Sequence, residues 1–250
     1  MLVLLFLFVL GQLYAEIFVI NNFALRPLVF CEDKTVVYGA GEQIVDYDVN
    51  LWSAGVYLPF GRFYRLTLFG QGVTSSEFYS ENVILLNNIF NVYNFERGGG
   101  IYVLVVPKLI MRNYGKLEET LDPAFRSRSK GSLDAGVFVR YGAVMMLAYG
   151  RNVNRPDFGV VSSDIVKDEY GVKGYIRWRI FTAGINWREG GRYEGELMLN
   201  YPSFSNFYVF VSNESLAYGL SLEVGRIVLG FKYTIFKFSP KPQVFLEYRL

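Results

Sequence analysis

From about Gly41 to Leu250 the chain is written in a period of two. Val172, Gly174, Ile176 and Trp178 alternate with Lys173, Tyr175, Arg177 and Arg179. Ala183, Ile185 and Trp187 alternate with Thr182, Asn186 and Arg188, and Leu216, Tyr218, Leu220, Leu222 and Val224 stand opposite Ser221 and Glu223. Successive strand side chains point to opposite faces, so each stretch is a strand with one apolar and one polar side. Turn residues break the pattern at Pro59-Phe60-Gly61, 96–100, Tyr141-Gly142 and Gly225-Arg226. The expected fold class is all-β.

Alternation alone does not say whether the apolar face meets a protein core or lipid. Three features favour lipid. Aromatic residues make up 18% of the chain, with 19 Tyr and 22 Phe, while charged residues are still 19%. Beyond residue 15 no apolar run is long enough for a membrane helix, which needs about 20 residues. Many strands instead reach the ~9–11 residues that a tilted strand needs to cross a bilayer. Tyr and Trp recur near strand ends, at Trp178, Trp187, Tyr193, Tyr201 and Tyr233, where interfacial girdles belong. The reading is a transmembrane antiparallel up-and-down β-barrel of roughly 12 to 14 strands.

The last strand has the same character. Val244, Leu246, Tyr248 and Leu250 share one face, and Glu247 and Arg249 the other. It resembles the C-terminal strand signal of outer-membrane barrels. That resemblance implies a bacterial outer-membrane location, and partners in membrane lipid and in the barrel-assembly machinery. Residues 1–15 read as a signal peptide cut after Ala15, 16–40 as a short plug or first strands, and 41–250 as the barrel.

With the apolar face outward, the expected lumen-lining residues are Asp134, Arg140, Lys173, Arg177, Arg179, Arg188, Glu194, Glu196, Glu223, Lys232, Glu247 and Arg249. Acids and bases are interspersed, which describes either a self-neutralising interior or a polar path with selectivity charges. The bases Lys173, Arg177, Arg179 and Arg188 point to an anion preference in the second case.

Other chemistry finds little footing. The chain has no histidine, which removes the Ser-His-Asp triad and imidazole metal sites. Neither a cofactor nor an enzymatic activity is expected. The single cysteine, Cys31, forms no internal disulfide and lacks the small residue before it that lipidation requires. A net charge of +2 gives no field for nucleic acid. Gly98-Gly99-Gly100 lacks the lysine of a phosphate loop. Asp46-x-Asp48-x-Asn50 reads as alternate acids on one strand face rather than a calcium loop. Glu194 and Glu196, about 7 Å apart on one face, lack the other parts of a glycosidase site.

Two connections are long and polar, 113–131 and 152–169, and in such barrels long loops lie outside the cell. The basic run Arg126, Arg128 and Lys130 is expected in solvated loop, within reach of lipopolysaccharide phosphates. Residues 77–95, with Asn scattered among apolar residues, leave helix or strand open.

Leu133-Asp134-Ala135-Gly136-Val137, a return strand, and then Arg151-Asn152 with Pro156 resemble a segment of the PorV-like and FadL-like outer-membrane barrels. The resemblance covers 131–250, with a fainter echo over 46–113. It implies about fourteen strands. Among FadL-like members it implies passage of hydrophobic molecules, and among PorV-like members a part in protein export or surface attachment. The functions expected are therefore a channel or transporter for small solutes, hydrophobic ones among them, or else a non-conducting envelope scaffold or export-associated subunit. A secreted soluble β protein is the third reading.

Overall fold

The structure is a computed structural model that describes residues 35–44, 49–75, 79–96, 99–115, 127–159, 164–178, 180–201, 205–212, 215–224, 226–236 and 240–249. The proposed signal peptide and Cys31 lie outside these residues, as does most of the 16–40 segment. Among the described residues fourteen strands follow one another: β1 (Val36–Ile44), β2 (Val49–Phe60), β3 (Tyr64–Ser75), β4 (Tyr79–Asn94), β5 (Gly99–Asn113), β6 (Arg128–Tyr141) and β7 (Val144–Arg151). Then come β8 (Glu169–Trp178), β9 (Phe181–Arg188), β10 (Arg192–Tyr201), β11 (Ser205–Ser212), β12 (Ser215–Val224), β13 (Ile227–Phe236) and β14 (Pro240–Arg249). Each pairs antiparallel with its neighbours in sequence, and β1 pairs with β14 to close the barrel.

An even strand number puts the start of β1 and the end of β14 at one rim. The links at that rim are short. Tyr141 pairs directly with Val144, and the link uses Gly142 at φ 55, a left-handed conformation that glycine adopts without Cβ strain. The two long connections, 113–128 and 151–169, both belong to the other rim. The barrel thus has a short-link rim and a long-loop rim.

The side chains expected to meet hydrocarbon stand outward. Leu220, Leu229, Phe231 and Leu246 are 47%, 53%, 45% and 50% exposed. Val172, Ile176, Ile185, Leu197 and Leu222 join them. A continuous apolar belt of this extent belongs in lipid and not in water. Aromatic residues bound it on both sides. At the short-link rim Trp178 stacks on Phe181 across the β8–β9 link, and Phe60 stacks on Tyr64 across the β2–β3 link. At the long-loop rim Tyr170, Trp187 and Tyr193 are exposed. Tyr170 and Trp178 bound about 26 Å of β8 at ~3.3 Å per residue. That spans about 20 Å of bilayer at a strand tilt of ~40°.

Three local readings change. Val49 and Leu51, the apolar residues that alternate with Asp48 and Asn50 and that an outward apolar face would turn to lipid, are buried inside the barrel, and Asn50 faces outward. Leu51 pairs with Val73, and with Phe69, Leu85 and Val106 they build an apolar patch on the inner wall. Asn50 sits at the long-loop rim, where an outward amide meets headgroups. Within the 77–95 stretch, Tyr79–Asn94 is strand, not helix. The asparagines of β4 serve both faces, with Asn87 buried inside and Asn88 outside between the exposed Leu86 and Phe90. Asn88 accepts from the Tyr64 hydroxyl at 2.8 Å and donates to the Leu86 and Val105 carbonyls at 3.0 and 3.2 Å, so its amide is paired within the belt. Third, Arg128 and Lys130 are strand residues of β6 rather than loop; Arg126 lies outside the described residues.

Candidate functional site

The inner wall divides into two halves. On the long-loop side, β4 to β10 carry charged residues that face one another across strands. Arg112, at the end of β5, donates through Nε to Glu81 of β4 at 2.7 Å. Lys108 meets Asp134 of β6 at 2.6 Å. Farther round, Glu169 of β8 lies 3.7 Å from Arg151 of β7 and 3.8 Å from Arg188 of β9. Arg188 also pairs with Glu194 of β10, whose other oxygen accepts from Asn186 at 3.1 Å. The register explains these contacts. Lys108 stands opposite Ser132, one inward position from Asp134, and Glu194 stands opposite Asn186. Side chains on one face at adjacent rows lie within reach of each other. Buried charges need such partners, because taking an ion out of water costs several kcal/mol unless it is paired and hydrogen-bonded.

The described parts of the loop between β7 and β8, 152–159 and 164–168, enter this half. Phe158 and Val166 are buried against Val83 of β4 and Ile110 of β5. Asp164 accepts from the second arm of Arg112 at 2.8 Å, and the same guanidinium lies 4.2 Å from the Phe158 ring centroid. Arg128 donates to the Phe158 carbonyl. The loop is folded on itself by backbone bonds from Phe158 to Asp164 and from Val166 to Pro156. Its base is locked to β6. Asp134 accepts from the Asn152 backbone N–H at 2.8 Å, and Asn154 accepts from the Leu133 N–H at 2.9 Å while donating to the Gly131 carbonyl. The Leu-Asp-x-Gly strand and the Arg-Asn turn quoted above are thus the two halves of one anchor. Asn152 takes a positive φ of 48, which the asparagine side chain tolerates. Just outside the barrel, burial pushes the Tyr114 phenol above its ordinary pKa; the neighbouring Arg112 opposes this, and Asp164 and Glu81 reinforce it.

Toward the short-link rim the wall is apolar. Ile89, Tyr102, Leu104, Phe138, Met145 and Tyr175 form one buried cluster across β4 to β8. Arg65 of β3 lies beside it, its guanidinium 5.4 Å from the Tyr102 ring centroid.

The residues expected to line the lumen fall into three groups. Asp134, Lys173, Arg188 and Glu194 face inward in the long-loop half or near mid-wall, and all but Lys173 belong to the ion pairs just described. Lys173 lies 5.1 Å from the Tyr175 ring. Arg140 and Arg177 sit toward the short-link rim, where Arg177 is exposed. Arg177 is therefore separated from Arg188 by the length of β8. Glu196, Glu223, Lys232, Glu247 and Arg249 occupy strand positions paired with Gly184, Val228, Gly219, Tyr38 and Val36. Their side chains, and all of Arg179, lie outside the description.

Sequence reasoning missed Arg65, Glu81, Lys108, Arg112, Arg151 and Glu169. Arg112, Glu169 and Arg151 sit at strand ends, where period two runs out, and Lys108 follows Pro107. A signal was present at Glu81, whose inward parity matches Val83 and Leu85, but the mixed asparagines hid the strand.

No family model matches the chain, and no curated protein matches it in sequence. Solved structures do match in fold. The CymD monoaromatic hydrocarbon channel aligns at 8% identity and a TM-score of 0.51, over 92% of this chain and 91% of that one. A Rhodopseudomonas blastica porin carrying three substitutions aligns at 8% identity and a TM-score of 0.42, over 86% of this chain and 99% of that one. The fold is that of outer-membrane β-barrels.

Proposed function

We propose that the protein is a bacterial outer-membrane channel for small solutes, narrowed at its long-loop mouth by the 152–168 connection. One observation carries the reading: the same strands that turn leucine and phenylalanine outward turn arginine, lysine, aspartate and glutamate inward. A barrel so divided is soluble in hydrocarbon and polar within. The loop stands on Arg112, so the passage at that mouth depends on the Arg112–Asp164 contact. Membrane lipid is the partner of the outer belt, and the C-terminal strand β14, paired with β1, is the element for the assembly machinery. The resemblance of 131–250 to FadL-like barrels supports a solute with apolar character, as do the apolar clusters on the inner wall.

A second reading, the non-conducting scaffold, is favoured by the pairing of inward charges in the long-loop half and by three packed apolar clusters inside. Planar-bilayer recording separates the two. A channel gives discrete conductance events, and Asp164→Asn raises their amplitude by loosening the loop. Reversal potentials in a salt gradient test the anion preference. A barrel that shifts on unboiled gels yet stays silent in bilayers, and passes no sugar in liposome swelling, is the scaffold.

A further inference from the structure

We infer that the short-link half of the barrel holds a binding site for an organic monocarboxylate, centred on Arg65. Arg65 is the second residue of β3, close to the rim, and is only 6% exposed. Its guanidinium is always charged. Yet its Nε and Nη1 have no hydrogen-bond acceptor, and its only described contact is the face of Tyr102. Two neighbours on the same wall are in the same condition. Thr67, the next inward residue of β3, has an unpartnered hydroxyl, and Asn87, its cross-strand partner on β4, has an unpartnered amide oxygen. Thr67 is 7% exposed and Asn87 2%.

Arg112 gives the measure of what is missing. It is as deeply buried, but holds two carboxylates. A guanidinium removed from water and left without an anion is costly, and groups of unpaired buried polar atoms in a native wall call for a partner that completes them. Guanidinium, hydroxyl and amide together make a site for an oxyanion: two N–H donors, an O–H donor, and an amide that can present oxygen or nitrogen. The rest of the surroundings sets the ligand's body. Ile89 stands opposite Arg65 in register and belongs to the apolar cluster with Tyr102, Leu104 and Phe138. Such walls return nothing for stripping water from a phosphate or sulfate dianion, but they do return something for burying a ring or a branched chain. The carboxylate lies on Arg65 and the apolar body on the cluster.

The inference uses the channel reading only for the ligand's route; binding itself does not depend on conduction. The test is calorimetric titration of the full chain, folded in detergent, with benzoate, with benzamide as its neutral counterpart, and with inorganic phosphate. Benzoate is expected to bind saturably at one site, with benzamide and phosphate each roughly tenfold weaker or worse, because the charge-assisted bonds to a carboxylate are the strong ones. Arg65→Met should abolish the benzoate signal, Thr67→Val should weaken it severalfold, and Arg177→Met, at the same rim but exposed, should leave it intact. Shifted mobility on unboiled gels confirms that each variant is folded, and if Arg65→Met does not fold, Thr67→Val carries the test. Benzoate that fails to bind, binds no tighter than benzamide, or binds unchanged to the folded variants overturns the site; phosphate binding as tightly as benzoate overturns the ligand class. Benzoate binding by a barrel silent in bilayers overturns the channel and leaves the site standing. Conductance without benzoate binding does the reverse.

Discussion

The two halves of the inner wall treat an arginine in opposite ways. Near the long loops, Arg112 is held by Glu81 and Asp164 and capped by the Phe158 ring. Near the short links, Arg65 faces a tyrosine and no acid among the described residues. Both are buried in the same wall, two strands apart. The first is an internal fastening, in which charge serves to hold a loop inside a barrel. The second is an open valence. The lesson is that inward position does not give a lumen charge its role; the presence of its counter-charge does.

The sharpest way to break this contrast is to replace each arginine by methionine. Arg112→Met strands the buried Glu81 carboxylate and frees the part-exposed Asp164, and losing one member of a buried pair costs about 3–5 kcal/mol. The barrel should unfold at markedly lower urea, and the 152–168 loop should become open to protease. Arg65→Met removes an uncompensated charge and keeps the volume, so stability should hold or rise. Equal losses in the two variants, read from urea midpoints in detergent, would erase the distinction. The outer face offers a control on depth. Phe231→Arg, in the middle of β13, should cost ~2–4 kcal/mol on folding into lipid, and Val224→Arg, at the short-link rim, ~0–1 kcal/mol. Comparable costs at both depths would mean that the belt does not lie across a bilayer as described.

Smaller, and more local, is Asp134→Asn. The amide oxygen still accepts from the Asn152 N–H, and Lys108 keeps the Asn152 side chain at 2.8 Å, but the ion pair with Lys108 is gone. A loss of about 1–3 kcal/mol is expected for a buried hydrogen bond to a charged group. It should appear as faster hydrogen exchange at the loop base before any change in the rest of the barrel. If exchange at 152–154 does not change, the anchor between β6 and the loop is not a fastening.

How much of this was legible in the sequence follows the same division. In β6, β8, β9 and β12 most outward residues are apolar and, Phe138 and Tyr175 apart, the inward ones are polar or small, so the alternation read directly as inside and outside: Ile176 and Trp187 out, Lys173 and Arg188 in. In β2 to β5 both faces carry apolar residues. Val49 and Leu51 look like a lipid face and are an inner wall, because period two identifies a face without saying which side it is on. The loop was legible least of all. Phe158 packs on Val83 and Ile110 from far along the chain, and no local pattern encodes that contact. Its one trace was the Leu-Asp-x-Gly and Arg-Asn pair, which resemblance picked out and which the hydrogen bonds from Asn152 and Asn154 explain. Arg65 carried no signal at all. Next to Leu66 and Thr67 it reads as an ordinary rim charge, and its solitude appears only when its neighbours in space are known.

The loop itself repeats the comparison on a smaller scale, with one ion pair inside and one outside. Arg112–Asp164 faces the interior, whereas Arg155–Asp168 joins the two ends of the loop at its water-facing side at 2.7 Å, with Arg155 well exposed. The hydrogen bond from Arg155 is the main cause that holds the Asp168 carboxyl below the usual carboxylate range, and slight burial opposes it. A lowered folded-state pKa means a contribution that is complete above the ordinary aspartate value of about 3.9. That contribution is lost as pH falls through the lower folded value. Between pH 8 and 5 the outer pair should therefore leave loop protection unchanged, and below about pH 4 protection at 155–168 should decline. The effect should be small, because water screens an exposed pair. Pulsed hydrogen exchange at pH 6 and pH 3, on the natural chain and on Asp168→Asn, measures it: the variant should lack the part of the decline that Asp168 supplies. A decline that begins near neutral pH would locate the sensitive group elsewhere. A decline of the same size in Asp168→Asn would leave the outer pair without a part in holding the loop, and the inner pair as its fastening.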